Sequence, residues 1–288
     1  MFKYIQKNIT IFVFNTIINN VYFIKFGVYI IYYLTFLFNV NTLYNILNKF
    51  QIKPKEYIKQ IEDNDYISDN ERVMFHFHGG GFLCRVPYNV ILNKFSNVKN
   101  IDKYYCTYPL LTETKLYNKS INILLQEFIF FIKTHHYNEY IFLGESAGCP
   151  IIDSILTKLL DMKLLDETQI KVIFMSPFCI YPSIQFDIHN IDINKDYLNS
   201  QLLLRYIEYF KESHEFGNPN NDTIFNYRKL KCFIIYGEHE YFKPSIKHFI
   251  KKYNLNYKEI KDEIHALYFY KNICYFDKNN LYIENILI

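Results

Sequence analysis

The chain has 288 residues, half of them hydrophobic and 21% charged, with a formal net charge of +3. A chain of that length buries about three quarters of the surface it exposes when unfolded, so a sizeable core forms without disulfides or metals. The composition excludes a disordered, collagen-like or low-complexity chain. The small net charge, with no Lys/Arg run longer than a pair, gives no basis for a nucleic-acid partner.

Residues 8–48 carry one charge, Lys25, and the stretch Tyr22–Val40 is mostly apolar. A membrane-spanning helix needs roughly 20 such residues. Two readings of residues 1–50 follow: an anchor or interfacial segment that meets a membrane surface, or helices capping the rest of the chain. No small-x-small cleavage site follows the apolar run, so a secretory signal peptide is not expected. Residues 51–71 are polar and read as a connector. The chain then alternates. Strands are predicted at Arg72–His78, Lys103–Leu110, Glu139–Leu143, Ile170–Met175, Lys231–Tyr236 and Tyr257–Ile260. Helices are predicted near 115–135 and at Ala147–Leu165 and Phe242–Tyr253. Strands alternating with helices predict a mostly parallel central sheet with helices on both faces. Residues 181–227 read as an irregular insertion with one amphipathic helix, Lys195–Lys211. The division expected is therefore 1–50 as a cap or membrane-associated segment and 51–288 as one domain carrying that insertion.

Six cysteines (Cys84, Cys106, Cys149, Cys179, Cys232, Cys274) show no metal or redox spacing. Four lie in or beside apolar runs, which suits buried, reduced thiols in an intracellular protein, cytoplasmic or membrane-associated.

Two motifs carry chemistry. His78-Gly79-Gly80-Gly81-Phe82 follows a predicted strand, and Gly144-Glu145-Ser146-Ala147-Gly148 joins a strand to a helix. A serine attacks only when a base takes its proton. The G-x-S-x-G pattern makes a sharp turn that exposes the hydroxyl, with Gly144 and Gly148 small because backbone segments meet there. The oxyanion that forms on attack needs backbone N–H donors. Ala147 supplies one from its helix start, and the glycine run supplies others. The base must follow in the chain. Of nine histidines, His265 lies after the last predicted strand, where the order Ser…acid…His requires it. The acid belongs in the loop Gly237-Glu238-His239-Glu240, where either glutamate can orient an imidazole. Asp262 and Glu263 are nearer in sequence but are expected to point alongside or away from His265.

These motifs, with Tyr108-Pro109-Leu110, resemble the hormone-sensitive-lipase-like branch of the α/β-hydrolases, which includes arylacetamide-deacetylase-like enzymes. The resemblance covers about residues 72–267. It implies the α/β-hydrolase fold and a serine esterase or lipase that acts through an acyl-enzyme on a small-molecule or lipid ester, with no metal or organic cofactor. By alignment on Gly237 it implies a triad of Ser146, Glu240 and His265, with Glu240 where the family has aspartate. The oxyanion donors it implies are Gly80, Gly81 and Ala147. The family usually has two antiparallel strands before the glycine run, for which residues 51–71 offer little room. Amide or formamide hydrolysis on the same triad, or a non-catalytic ligand-binding relative, are the alternatives.

Overall fold

A computed structural model of the chain describes residues 54, 56–61, 70–82, 85, 98–110, 113, 117–166, 168–178, 222–263 and 265. In chain order the elements are β1 (Ile58–Gln60), β2 (Arg72–Phe77), β3 (Asp102–Cys106), α1 (Tyr117–Thr134), β4 (Glu139–Glu145), α2 (Gly148–Asp161), β5 (Gln169–Met175), α3 (Asp222–Phe225), β6 (Leu230–Gly237), α4 (Lys243–Tyr253) and β7 (Asn256–Ile260). The strands form one sheet in the order β1-β3-β2-β4-β5-β6-β7. β1 runs antiparallel to β3, and every other neighbouring pair is parallel. This is the α/β-hydrolase arrangement.

The central strands read as near-continuous apolar runs because both of their faces are buried. Phe75, Phe77 and Phe142 line one face and meet Phe128 of α1. On the same side, Phe174 of β5 meets Phe249 of α4. The alternate residues Met74, Ile141, Leu143, Ile173 and Met175 point to the opposite face and are buried as completely. α1 buries Tyr117, Ile121, Leu124, Leu125, Phe128, Phe131 and Ile132, a helical stripe facing the sheet. α4 carries a proline in its first turn and ends at Asn254 in the left-handed conformation, both common terminus signals.

Two details differ from the sequence expectation. The connector at 51–71 contains β1, a three-residue edge strand whose register places Ile58 opposite Cys106. The amides of Tyr57 and Ile58 donate to the Glu127 carboxylate at 2.9 and 3.1 Å, so a residue 70 positions away fixes this strand. The short helix α3 lies inside the stretch read as irregular, 181–227. Residues 1–50, expected as a cap or membrane segment, and the helix expected at 195–211 lie outside the described residues. Among the described residues no helix is long and apolar enough to cross a membrane.

The parallel strands direct their carboxyl ends to one side, where ligands of open α/β sheets bind. The residues singled out in the sequence follow β2, β4, β6 and β7 there.

Candidate active site

Ser146 sits between β4 and α2 with φ of 48°, a left-handed conformation that is costly for a residue with a Cβ. The ladder holds it there: its N–H donates to the Met175 carbonyl at 2.9 Å, and its own carbonyl accepts from Cys149 and Phe178, each at 3.1 Å. Such a turn requires small flanking residues. A Cβ on Gly144 would stand 2.7 Å from Ile152 Cδ1 and 3.0 Å from Cys149 Cα. Gly148 is tighter still, as a Cβ would lie 2.4 Å from the Phe77 carbonyl oxygen.

His265, in the turn after β7, brings Nε2 to 2.7 Å from Ser146 Oγ. Both groups are buried, Ser146 at 8% and His265 at 2% exposure. On the other edge of the ring, Nδ1 faces Glu240 Oε2 at 3.5 Å, an ion-pair separation longer than a normal hydrogen bond. With the ring proton on Nδ1 toward the carboxylate, Nε2 is the acceptor for the serine hydroxyl. Glu240 lies in the loop after β6, and its Oε1 accepts from the Gly237 amide at 2.6 Å and from the Ser176 hydroxyl. The structure therefore brings Ser146, His265 and Glu240 into one line at the carboxyl end of the sheet.

Glu238 is directed elsewhere. Its Oε2 accepts from the Asp262 amide at 3.0 Å, and that bond holds its carboxyl below the usual glutamate range. Asp262 is exposed, and Glu263 uses its carbonyl to accept from the His239 amide at 2.8 Å. With Glu238 N donating to the Ile260 carbonyl, these bonds staple the acid loop to the turn carrying His265. Glu238, His239 and Asp262 also form a group whose ligand atoms lie within 4.8 Å of one another; such exposed acidic groups are common without a metal ion.

The glycine run is held by its carbonyls. Gly80, Gly81 and Phe82 all have positive φ (102°, 61° and 63°). The Tyr108 hydroxyl donates to the carbonyls of His78 and Gly79 at 3.0 and 3.2 Å. The His78 ring stacks on Tyr108 with centroids 4.5 Å apart. Its Nδ1 lies 2.6 Å from the Gly79 carbonyl, a contact only an N–H can make, which leaves Nε2 to accept from Thr107 Oγ1 at 3.3 Å. The Thr107 hydroxyl in turn accepts from Arg85 Nε at 3.0 Å, and Arg85 is clamped by Glu113 at 2.6 Å. Burial lowers the pKa of His78 to about 3, so this ring is neutral at ordinary pH. Gly79 packs on the nucleophile turn, since a Cβ there would meet Glu145 Oε1 at 3.0 Å and Ser146 Cβ at 3.3 Å. Ala147, fully buried, precedes α2, and the first amides of a helix have no carbonyl partner within it. Three buried rings extend from the glycine run to the histidine: Phe82 to Phe178 at 5.9 Å, Phe178 to Phe242 at 4.9 Å, and Phe242 to His265 at 5.7 Å.

Sequence reasoning did not reach Ser176, Thr107, Arg85 or Glu113. Ser176 had one signal, a Ser-Pro pair directly after an apolar strand. Arg85 had another, as one of only four arginines in a lysine-rich chain.

No curated protein matches the chain by sequence. Solved structures share the fold at low identity. An esterase/lipase from an uncultured bacterium superposes with a TM-score of 0.61 at 14% identity, covering 86% of this chain and 89% of that one. A hormone-sensitive lipase from a metagenome library gives 0.58 at 14% identity, covering 85% and 88%. An esterase of the bacterial hormone-sensitive lipase family gives 0.60 at 12% identity, again covering 85% and 88%. The sequence model of the steryl acetyl hydrolase family matches residues 40–286. The chain belongs to the steryl acetyl hydrolase family, and it is a carboxylic ester hydrolase with the α/β-hydrolase fold seen in hormone-sensitive-lipase-family structures.

Proposed function

We propose that the chain removes the acetyl group from an esterified sterol or a similarly apolar alcohol, through an acyl-enzyme on Ser146, His265 and Glu240. The observation that carries the mechanism is the 2.7 Å approach of Ser146 Oγ to His265 Nε2, with the Glu240 carboxylate behind the ring. The family name supports the acetyl ester as substrate.

In the first half-reaction His265 Nε2 takes the Ser146 proton as Oγ attacks the ester carbonyl carbon. The carbonyl oxygen becomes an oxyanion, and the amides of Gly80, Gly81 and Ala147 are the donors assigned to it. Each such donor is worth about 3 kcal/mol in the transition state. The Glu240 carboxylate stabilises the imidazolium without taking its proton. Collapse breaks the bond to the alcohol oxygen, which leaves with the proton from Nε2. Water then attacks the acetyl-serine, His265 takes its proton, and return of that proton to Oγ frees acetate. Every step is proton transfer and acyl transfer.

Residues 1–50 and the insertion at 181–227 are assigned, on sequence grounds, to the cap that receives the apolar alcohol, with 1–50 as the part that meets a membrane surface. The buried thiols Cys106, Cys149 and Cys232 suit an intracellular setting.

The deciding experiment compares a steryl acetate with a p-nitrophenyl ester series from acetate to palmitate, alongside labelling by a fluorophosphonate. Turnover that is highest for acetyl esters, and labelling that disappears in Ser146→Ala, is the expected result. Undiminished turnover by Ser146→Ala would overturn the mechanism. A preference for long acyl chains would overturn the acetyl assignment and leave the triad intact.

A further inference from the structure

β4 and β5, neighbours in the sheet, end in the same way. Each runs into a serine with left-handed backbone, Ser146 with φ of 48° and Ser176 with φ of 46°. In each, the serine N–H still bonds the next strand, Ser146 to the Met175 carbonyl at 2.9 Å and Ser176 to the Ile235 carbonyl at 2.7 Å. A glycine adopts this conformation without the clash a Cβ brings. A fully buried side chain kept at such a position points to a use for it. Ser146 directs its hydroxyl to His265, and Ser176 directs its hydroxyl to Glu240 Oε1.

We infer that Ser176 is a positioning residue that fixes which oxygen of Glu240 faces His265. This rests on the triad reading above. A glutamate has one more rotatable bond than the aspartate usual in this kind of site, and ordering that bond costs conformational entropy. Two donors converge on Oε1, the Gly237 amide and the Ser176 hydroxyl. They consume one oxygen and hold the other, Oε2, at 3.5 Å from His265 Nδ1. The Gly237 amide ends β6, the strand that leads into the Glu240 loop, and anchors the carboxylate to its own strand. Ser176 follows the neighbouring strand β5 and ties the same oxygen to a second strand. Hydrogen bonds to an ionised carboxylate are stronger than neutral ones, so this bond can hold the extra methylene in one rotamer.

The test uses the full chain and four variants: Ser176→Ala, Ser176→Gly, Glu240→Asp and Ser176→Ala with Glu240→Asp. Activity of the wild type and its loss in Ser146→Ala and in Glu240→Gln establish the nucleophile and the acid beforehand, so failure at Ser176 is distinguishable from failure of that reading. Ser176→Ala is expected to lower kcat about tenfold or more, with KM changed less than twofold, because its hydroxyl is buried against Glu240. Ser176→Gly relieves the backbone and is expected to keep or raise the melting temperature while losing kcat to the same degree, which a purely structural serine would not do. In the Glu240→Asp background the shorter acid no longer reaches Ser176, so removing the hydroxyl is expected to change kcat less than about threefold. Retention of kcat within twofold by Ser176→Gly would overturn the assignment. An equal loss from Ser176→Ala in both backgrounds would show that the hydroxyl does not serve the longer acid.

Discussion

Gly148 is packed against the end of β2, with the Phe77 carbonyl oxygen 2.4 Å and the His78 carbonyl oxygen 2.9 Å from where a Cβ would stand. This contact joins the nucleophile's helix to the strand that carries the glycine run. Gly→Ala at a helix position ordinarily stabilises by up to about 1 kcal/mol. Here the sign is expected to reverse. Both obstructing atoms are backbone, so α2 must move off β2, and Gly148→Ala is expected to cost about 1–3 kcal/mol, as overpacking does. At Gly79 the nearest atom is the end of the Glu145 side chain, at 3.0 Å, which has more freedom to give way. Urea denaturation of the two variants should rank Gly148→Ala as the more damaging. The opposite ranking would mean that α2 is not seated on β2 by this contact.

The two glutamates of the acid loop are separated by their partners. Glu240 Oε2 faces His265, whereas Glu238 Oε2 accepts from the Asp262 amide near the surface. Glu240→Gln keeps the shape but presents no charge to the imidazolium, and kcat is expected to fall on the order of 10³-fold or more. Glu238→Gln should stay within a few-fold of wild type. Steady-state kinetics on p-nitrophenyl acetate decide this, and a larger loss from Glu238→Gln would move the acid to that residue.

Tyr108 holds the glycine run from below. Its hydroxyl is the donor to both the His78 and Gly79 carbonyls, and its ring carries the His78 ring. Tyr108→Phe keeps the stack and removes only the hydroxyl. Loosened donors should weaken transition-state binding more than substrate binding. The expected result is a drop in kcat of about 5–50-fold with KM little changed. A raised KM at constant kcat would place Tyr108 in substrate binding instead.

How much of this was legible in the sequence depended on whether a feature was local. The turn around Ser146 and the glycine run at 79–81 need particular residues at consecutive positions, so their chemistry could be read from Gly144 to Gly148 and from His78 to Phe82. His265 could be reached because the order of the triad along the chain is restricted. Glu240 and Glu238 could not be separated from residue types alone. What separates them is the pairing of the loop with 260–263, where the Asp262 amide captures Glu238. Ser176 and Arg85 were missed because their partners, Glu240 and Glu113, are brought close only by the fold. β1 was missed because three residues show no periodicity, and the donors beside it are satisfied by Glu127 on a helix much later in the chain.

His78 makes the stability of the fold depend on pH. Burial lowers the pKa of its ring from 6.5 to about 3 in the folded protein. Above pH 6.5 both folded and unfolded chains hold the ring neutral, and this residue contributes no pH dependence. Between 6.5 and 3 the unfolded chain takes up a proton that the folded chain refuses, so stability falls as pH falls. Below about 3 both states are protonated and the change is complete. From pH 7.5 to pH 5, where most carboxylates remain ionised, the loss due to this one ring is about 2 kcal/mol. His78→Phe keeps a ring to stack on Tyr108 but cannot titrate. It also leaves the Thr107 hydroxyl without its acceptor, so the variant should be less stable than wild type at pH 7.5. The gap should then narrow by about 2 kcal/mol as the pH is lowered to 5. Urea midpoints measured every half unit across that range test this. Two curves that stay parallel would show that His78 does not resist protonation in the folded state, and the neutral ring between Thr107 and the Gly79 carbonyl would have to be abandoned.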